Sequence, residues 1–209
     1  MPVHILPGAS DPANVILPQQ PFPSAMFGDA ARYSTFFCET NPTYLTMSTK
    51  AGTSNPKFKR TLLLNSGQPV NDMFKYLPTP PNTRLSMLEN TLLWRHMAPT
   101  APDTLWCHPF RDDDPFIVRQ TPDIYIVGGQ KKFGTRLVTG QSTRNDKSAP
   151  PRCRIILVPS FALTGILVLV NLLTLEVKRV DFSVHGMQTG GGVELKGELV
   201  GALIFDSNF

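Results

Sequence analysis

Two places in the sequence gather residue types that could do chemistry. The first is Pro7-Gly8-Ala9-Ser10-Asp11-Pro12, a turn fed by the apolar run Val3–Leu6 that contains His4. The second is RHMAPTAPDTLWCHPF, residues 95–110, which holds His96, Asp103 and His108 and runs into Asp112-Asp113-Asp114. Histidines and carboxylates are the ligand types of a hydrolytic metal centre. Such a centre needs several of them converging from different segments, with one position left open for water. Here they are crowded into one loop and one acidic run, and in the first turn Ala9 and Ser10 can hold no metal. His4 lies inside a strand and reads as a partly buried structural residue, and His185-Gly186 reads as an exposed loop. No GxSxG elbow surrounds Ser160, and Gly190–Gly192 precede Val-Glu-Leu rather than the Lys-Ser of a phosphate-binding loop. The residues by themselves do not support catalysis.

The loop 95–110 admits two compatible readings. Its prolines (Pro99, Pro102, Pro109) stiffen it, Trp106 and Phe110 anchor it, and Asp103 can cap local backbone groups. It either covers a sheet edge or presents aromatics to a partner, as rigid loops at interfaces do. His96, Asp103, Trp106 and Phe110 are therefore the candidate partner-contact residues.

The rest of the chain bounds what surrounds these places. A 41% hydrophobic content with mean hydropathy −0.08 is that of a soluble globular chain, long enough for one core and a little more. Twenty prolines, scattered rather than repeated, imply many rigid loops. The charge of +4 is compatible with nearby nucleic acid, but the basic residues cluster only locally: Lys57, Lys59 and Arg60, then Lys131 and Lys132, then Arg152 and Arg154. Cys38, Cys107 and Cys153 contain no CxxC pair, which argues against structural zinc and fits a reducing compartment. The N-terminus lacks the pattern of a signal peptide. Residues 155–177 are apolar but interrupted by Pro159, Ser160, Gly165 and Asn171, which suits consecutive buried strands better than a membrane span.

Strands are expected at Val3–Leu6, Thr35–Glu39, Tyr44–Ser48, Thr61–Leu64, Asp123–Val127, Leu137–Thr139, Arg154–Val158, Gly165–Val170 and Leu173–Phe182, with Asn41-Pro42 as a turn. Residues 7–35 read as a long ordered loop and Lys50–Arg60 as an exposed insertion. Helices are expected at Val70–Leu77, capped by Ser66 or Asn71, and at Thr83–Arg95, whose Leu85, Leu88, Leu92 and Leu93 form one stripe. Leu195–Phe205 is left open between strand and ordered end. The pattern is α/β first and β after. A strand feeding a Pro-Gly turn should lie inside a sheet, and nothing before Val3 could pair with it, so the chain is expected to be truncated at its N-terminus.

Several phrases in order, LPGASDPANVILPQQPF, SGQPVNDMFKYL, RHMAPTAPDTLWCHPF with DPF, PDIYIVGGQKKFG and VPSFALTG, resemble the small B-subunits of replicative DNA polymerases, the delta form most of all. The resemblance covers roughly residues 3 to 185. It implies a degenerate calcineurin-like metallophosphoesterase fold, mixed β-sheets sandwiched by helices, here without the preceding oligonucleotide-binding-type domain and first strands. Active phosphoesterases carry Gly-Asn-His-Asp where this chain has Gly8-Ala9-Ser10-Asp11, and Gly-His-x-His where it has Gly128-Gly129-Gln130-Lys131. On that resemblance Ala9, Ser10, Asp11, Gly129 and Lys131 are former metal-site positions, and His96 lies loosely near a further histidine of the fold.

The resemblance further implies no cofactor and a non-catalytic role in the nucleus. Residues 1–188 would be the C-terminal portion of the inactive phosphoesterase-like domain, and 189–209 a tail, Gly-rich at first. The chain would bridge the cysteine-rich C-terminal domain of the polymerase delta catalytic subunit to a further accessory subunit, in replication and repair synthesis. DNA would be met only through the complex. The alternatives are a residual metal-dependent phosphodiesterase and direct DNA binding through the basic clusters.

Overall fold

The computed structural model describes residues 2–48, 58–140 and 151–182, with the backbone of one further strand at 203–206. The expected insertion from Lys50 lies mostly outside these residues, as do His185 and Gly190–Gly192.

The central sheet is built from the most apolar runs. Its five strands lie in the order β3 (Thr43–Ser48), β4 (Lys59–Asn65), β5 (Ile124–Gln130), β7 (Arg152–Pro159), β6 (Gly134–Thr139). β4, β5 and β7 are mutually parallel, while β3 and β6 close the two edges antiparallel. Parallel central strands are covered on both faces and so read as continuous apolar runs. Their residues alternate between two cores. Leu63, Tyr125, Val127, Cys153, Ile155 and Leu157 face one, and Leu62, Ile124, Ile126, Ile156 and Val158 face the other.

The first core is closed by helices and loops. The crossover from β4 to β5 carries α1 (Gln68–Met73) and α2 (Arg84–Trp94), which bury Val70, Met73, Met87, Leu88 and Leu92 there. α2 starts where expected, with Thr83 and Ser86 forming a reciprocal capping box. Its buried face is Met87, Leu88, Thr91 and Leu92, so Leu93, expected in the stripe, lies outside at 71% exposure. α1 is shorter than expected and has no side-chain cap. Its cap position is Gly67, in the left-handed region at φ 96°.

The second core is closed by a smaller sheet, β10 (Leu203–Asp206), β8 (Ile166–Asn171), β9 (Val177–Asp181). The turn between β8 and β9 is held to the central sheet by two arginines. Arg60 donates to the Leu172 and Leu173 carbonyls at 2.9 and 3.0 Å and pairs with Asp123 at 3.0 Å. Arg154 donates to the Leu175 carbonyl at 2.8 Å. The apolar stretch that mimics a membrane span is β7, the short helix α3 (Phe161–Thr164) and β8. No helix among the described residues is long and apolar enough to cross a membrane.

β1 (Val3–Ile5) does have a partner, downstream rather than upstream: it pairs in parallel with β2 (Phe36–Cys38). Residues 7–35, expected as loop, contain a 3-10 segment, Ser24–Arg32, whose Phe27 packs on Phe36 of β2.

Candidate functional site

In open α/β sheets ligands bind beyond the carboxyl ends of the strands, where loops and dipoles converge. β4 ends in Asn65-Ser66-Gly67 and β5 in Gly128-Gly129-Gln130, on the same side because the two strands are parallel. The turn after β1, from Pro7 on, is tied to these ends through side-chain amides.

Gln19 Nε2 donates to the Gly8 carbonyl at 3.0 Å and to the Asn14 carbonyl at 2.8 Å. Its Oε1 accepts from Asn41 Nδ2 at 2.6 Å and from Gln68 Nε2 at 3.1 Å. Asn41 Nδ2 also reaches Ser66 Oγ at 2.6 Å and Gln68 Oε1 at 2.7 Å, while Asn41 Oδ1 accepts the Ser66 N–H at 3.0 Å. The backbones of Gln19 and Asn41 exchange both of their hydrogen bonds as well, at 2.8 and 3.1 Å. Gln19, Asn41 and Ser66 are buried, a placement polar groups tolerate only when they are hydrogen-bonded. The cluster contains no charge and no metal-ligating histidine or carboxylate.

The same strand ends are pressed together backbone to backbone. A Cβ at Gly67 would collide with the Gly128 carbonyl oxygen and the Gln130 amide. A Cβ at Gly129, whose φ is +60°, would stand 2.8 Å from the Ser66 carbonyl oxygen. Gln130 closes this side: its Nε2 donates to the Gly128 carbonyl at 2.8 Å, and its Oε1 accepts from Arg84 at 2.8 Å. Arg84 also donates to Asn71 at 2.6 Å and lies over the Phe74 ring, 5.1 Å from its centroid, and burial lowers its pKa.

The positions that the resemblance assigns to a lost metal site do not converge. Ala9 and Ser10 are exposed at the tip of their turn. Asp11 turns back on its own loop, accepting the Gly8 N–H at 2.7 Å. Gly129 abuts Ser66, and Lys131 is exposed. Among the described residues no three histidines, cysteines or carboxylates come together as metal ligands. The donor set here is carboxamides and backbone carbonyls with two glycines, which does not fit a hydrolytic metal pair. The residues that build the cluster, Gln19, Asn41, Ser66 and Gln68, were missed as site residues. Their only trace in the sequence is polar residues set beside prolines and glycines.

His4 is half-buried, 2.8 Å from Glu39 and stacked on Phe37. His96 sits just past α2 and is bracketed: its Nε2 lies 2.9 Å from Asp114, and its Nδ1 accepts the Ala98 N–H at 3.3 Å. Asp114 in turn accepts the Phe116 N–H at 2.8 Å. His96 therefore staples the segment 110–118 to the end of α2. Asp103, Trp106 and Phe110 are exposed on the loop, and His108 is packed edge-on against Phe110. The loop beneath them is anchored by buried Met97, Ala98 and Leu105. It is also anchored by Thr104, which donates to buried Asp72 of α1 at 2.6 Å.

Residues 1–135 match the DNA polymerase alpha/epsilon B-subunit family. A DNA polymerase delta small subunit of Arabidopsis thaliana is 41% identical over 181 residues, 87% of this chain and 37% of that protein. The one from Oryza sativa subsp. japonica is 38% identical over 183 residues, 88% of this chain and 38% of the relative. A DNA polymerase delta subunit 2 of Drosophila melanogaster is 40% identical over 184 residues, 88% and 38% of the two chains. The chain thus spans well under half the length of the relatives it matches. By its ordered phrases, its family match and these identities, the chain belongs to the B-subunit family of DNA polymerases.

Proposed function

We propose that the chain acts as a non-catalytic accessory part of the DNA polymerase delta complex. Residues 1–188 are then the C-terminal portion of an inactive calcineurin-like phosphoesterase domain, with 189–209 as a tail. Its task is to hold the catalytic subunit, through that subunit's cysteine-rich C-terminal domain, and a further accessory subunit in one nuclear assembly for replication and repair synthesis. DNA is met only through the complex.

The observation that carries this reading is the strand-end cluster. Where a phosphoesterase needs charged ligands around a metal pair, this chain closes the gap with Gln19, Asn41, Ser66 and Gln68 and with two glycines in contact. Ala9, Ser10, Asp11, Gly129 and Lys131 are read as the remnants of the lost site. His96, Asp103, Trp106 and Phe110 belong to the loop read as facing a partner.

Two measurements test it. The chain co-expressed with the cysteine-rich domain of the catalytic subunit is expected to co-purify with it in stoichiometric amount, and failure to do so sinks the scaffold reading. Purified chain with manganese and a chromogenic phosphodiester is expected to show no turnover above blank. Turnover that Asp11→Ala abolishes would make the residual phosphodiesterase correct instead.

A further inference from the structure

We propose that β8 carries a strand-accepting edge and that β10 is its displaceable occupant, a strand the chain can release and take up again. The proposal is independent of the accessory-subunit reading. β10 lies at the margin of its sheet and pairs with β8 alone, in parallel, from Leu203 opposite Val168 to Asp206 opposite Asn171. Parallel pairing is slightly less stable per residue than antiparallel, and β10 has it on one side only. β8 does not share that weakness. Its other edge is paired antiparallel with β9 from Ile166 to Val170. Val168 and Val170 are buried in the second core, and Asn171 is buried as well. Just beyond, Arg60 and Arg154 hold the β8–β9 turn to the central sheet. The edge therefore stays in place when β10 leaves, as a preformed row of backbone donors and acceptors. Such a row takes up an extended segment by strand addition, and left open it is a template for uncontrolled pairing.

The connection leaves β10 free to exchange. β9 ends with Asp181 beside Ile166, and β10 begins on the far side of β8, with Leu203 beside Val168. Two strand spacings, about 10 Å, separate these points across the sheet. Residues 183–202, which include Gly190-Gly191-Gly192, can span on the order of 60 Å when extended. A tether this much longer than its gap neither drives the strand into place nor locks it there. It supplies an effective concentration on the order of millimolar, which keeps the edge occupied while leaving it open to competition. The slot takes an extended apolar segment, and Leu203-Ile204-Phe205 is the one this chain provides.

Hydrogen exchange on the full 209-residue chain is the first test. Amides at 203–206 are expected to exchange at least about tenfold faster than those of β5, as local opening requires. Equal rates would make β10 an integral strand and overturn the proposal. The second test vacates the edge with Ile204→Pro and Phe205→Pro together. Neighbouring residues of a strand point their N–H groups to opposite sides, so one of the two lost donors faced β8. Residues 168–171 are then expected to exchange faster, with β5 unchanged. A fluorescently labelled peptide of residues 199–209 is expected to bind this variant and restore that protection. It should bind the unsubstituted chain about tenfold more weakly, because the tethered strand competes. The same peptide with both prolines is expected to do nothing. Lost protection in β5, no rescue by the peptide, equal binding to both chains, or rescue by the proline peptide would each overturn the proposal.

Discussion

Asn41 has two amide hydrogens and three acceptors within 2.7 Å, so it works as a shared donor at the centre of the strand-end cluster. Asn41→Ala strands the Ser66 N–H and leaves Gln19 and Gln68 short of partners in a buried place. The expected loss is about 3 kcal/mol, read by chemical denaturation, with unchanged secondary structure by circular dichroism. Gly67→Ala is expected to cost more than Gly129→Ala. Both positions have left-handed φ, but only the first drives a Cβ into a carbonyl and an amide at once, and each loss should exceed about 1 kcal/mol. Asp72 offers a pH readout. Burial alone would raise its pKa, but hydrogen bonds from Lys75 and Thr104 and the Lys75 charge bring it below the ordinary value. A depressed carboxylate contributes its stability fully above its unfolded pKa, near about 4, and loses it as pH falls through the lower folded value. Asp72→Asn should therefore be less stable than the unsubstituted chain at neutral pH, with the gap narrowing on acidification below about pH 4. A constant gap would show that the charge is not what anchors Thr104.

Between elements, the two-arginine clamp decides how the second sheet sits. Arg60 and Arg154 direct their donors to the carbonyls of the β8–β9 turn, where Leu175 has φ 62° and no regular pairing is available. Replacing Arg154 with Met keeps the stem packed and removes the donor. Faster hydrogen exchange is then expected in residues 166–181, with β5 unchanged, since β5 is held by its own neighbours on both sides. Uniformly faster exchange would show that the clamp supports the whole sheet instead.

At the scale of the molecule, a retained metal centre would couple to folding, because a ligand bound only by the native state at a hundred times its dissociation constant adds about 2.7 kcal/mol. Adding manganese to the purified chain is expected to leave the melting temperature in place. A rise that Asp11→Ala abolishes would restore the enzyme reading.

The long apolar runs were legible one by one. Leu62–Leu64, Ile124–Val127 and Ile155–Val158 could only be strands covered on both faces, because no polar alternation leaves a wet side. The leucine spacing placed α2 for an equally local reason. Local pattern could not say that β1 pairs with a strand more than thirty residues later, nor that Leu93 falls outside the stripe, because both depend on what the chain brings alongside. In the turn Gly8-Ala9-Ser10-Asp11, residue type alone said that Ala9 and Ser10 can hold no metal. What lies beside that turn was decided in three dimensions. Gln19, Asn41, Ser66 and Gln68 are ordinary turn residues in the sequence, and only the meeting of three strand ends buries their amides and obliges them to satisfy one another.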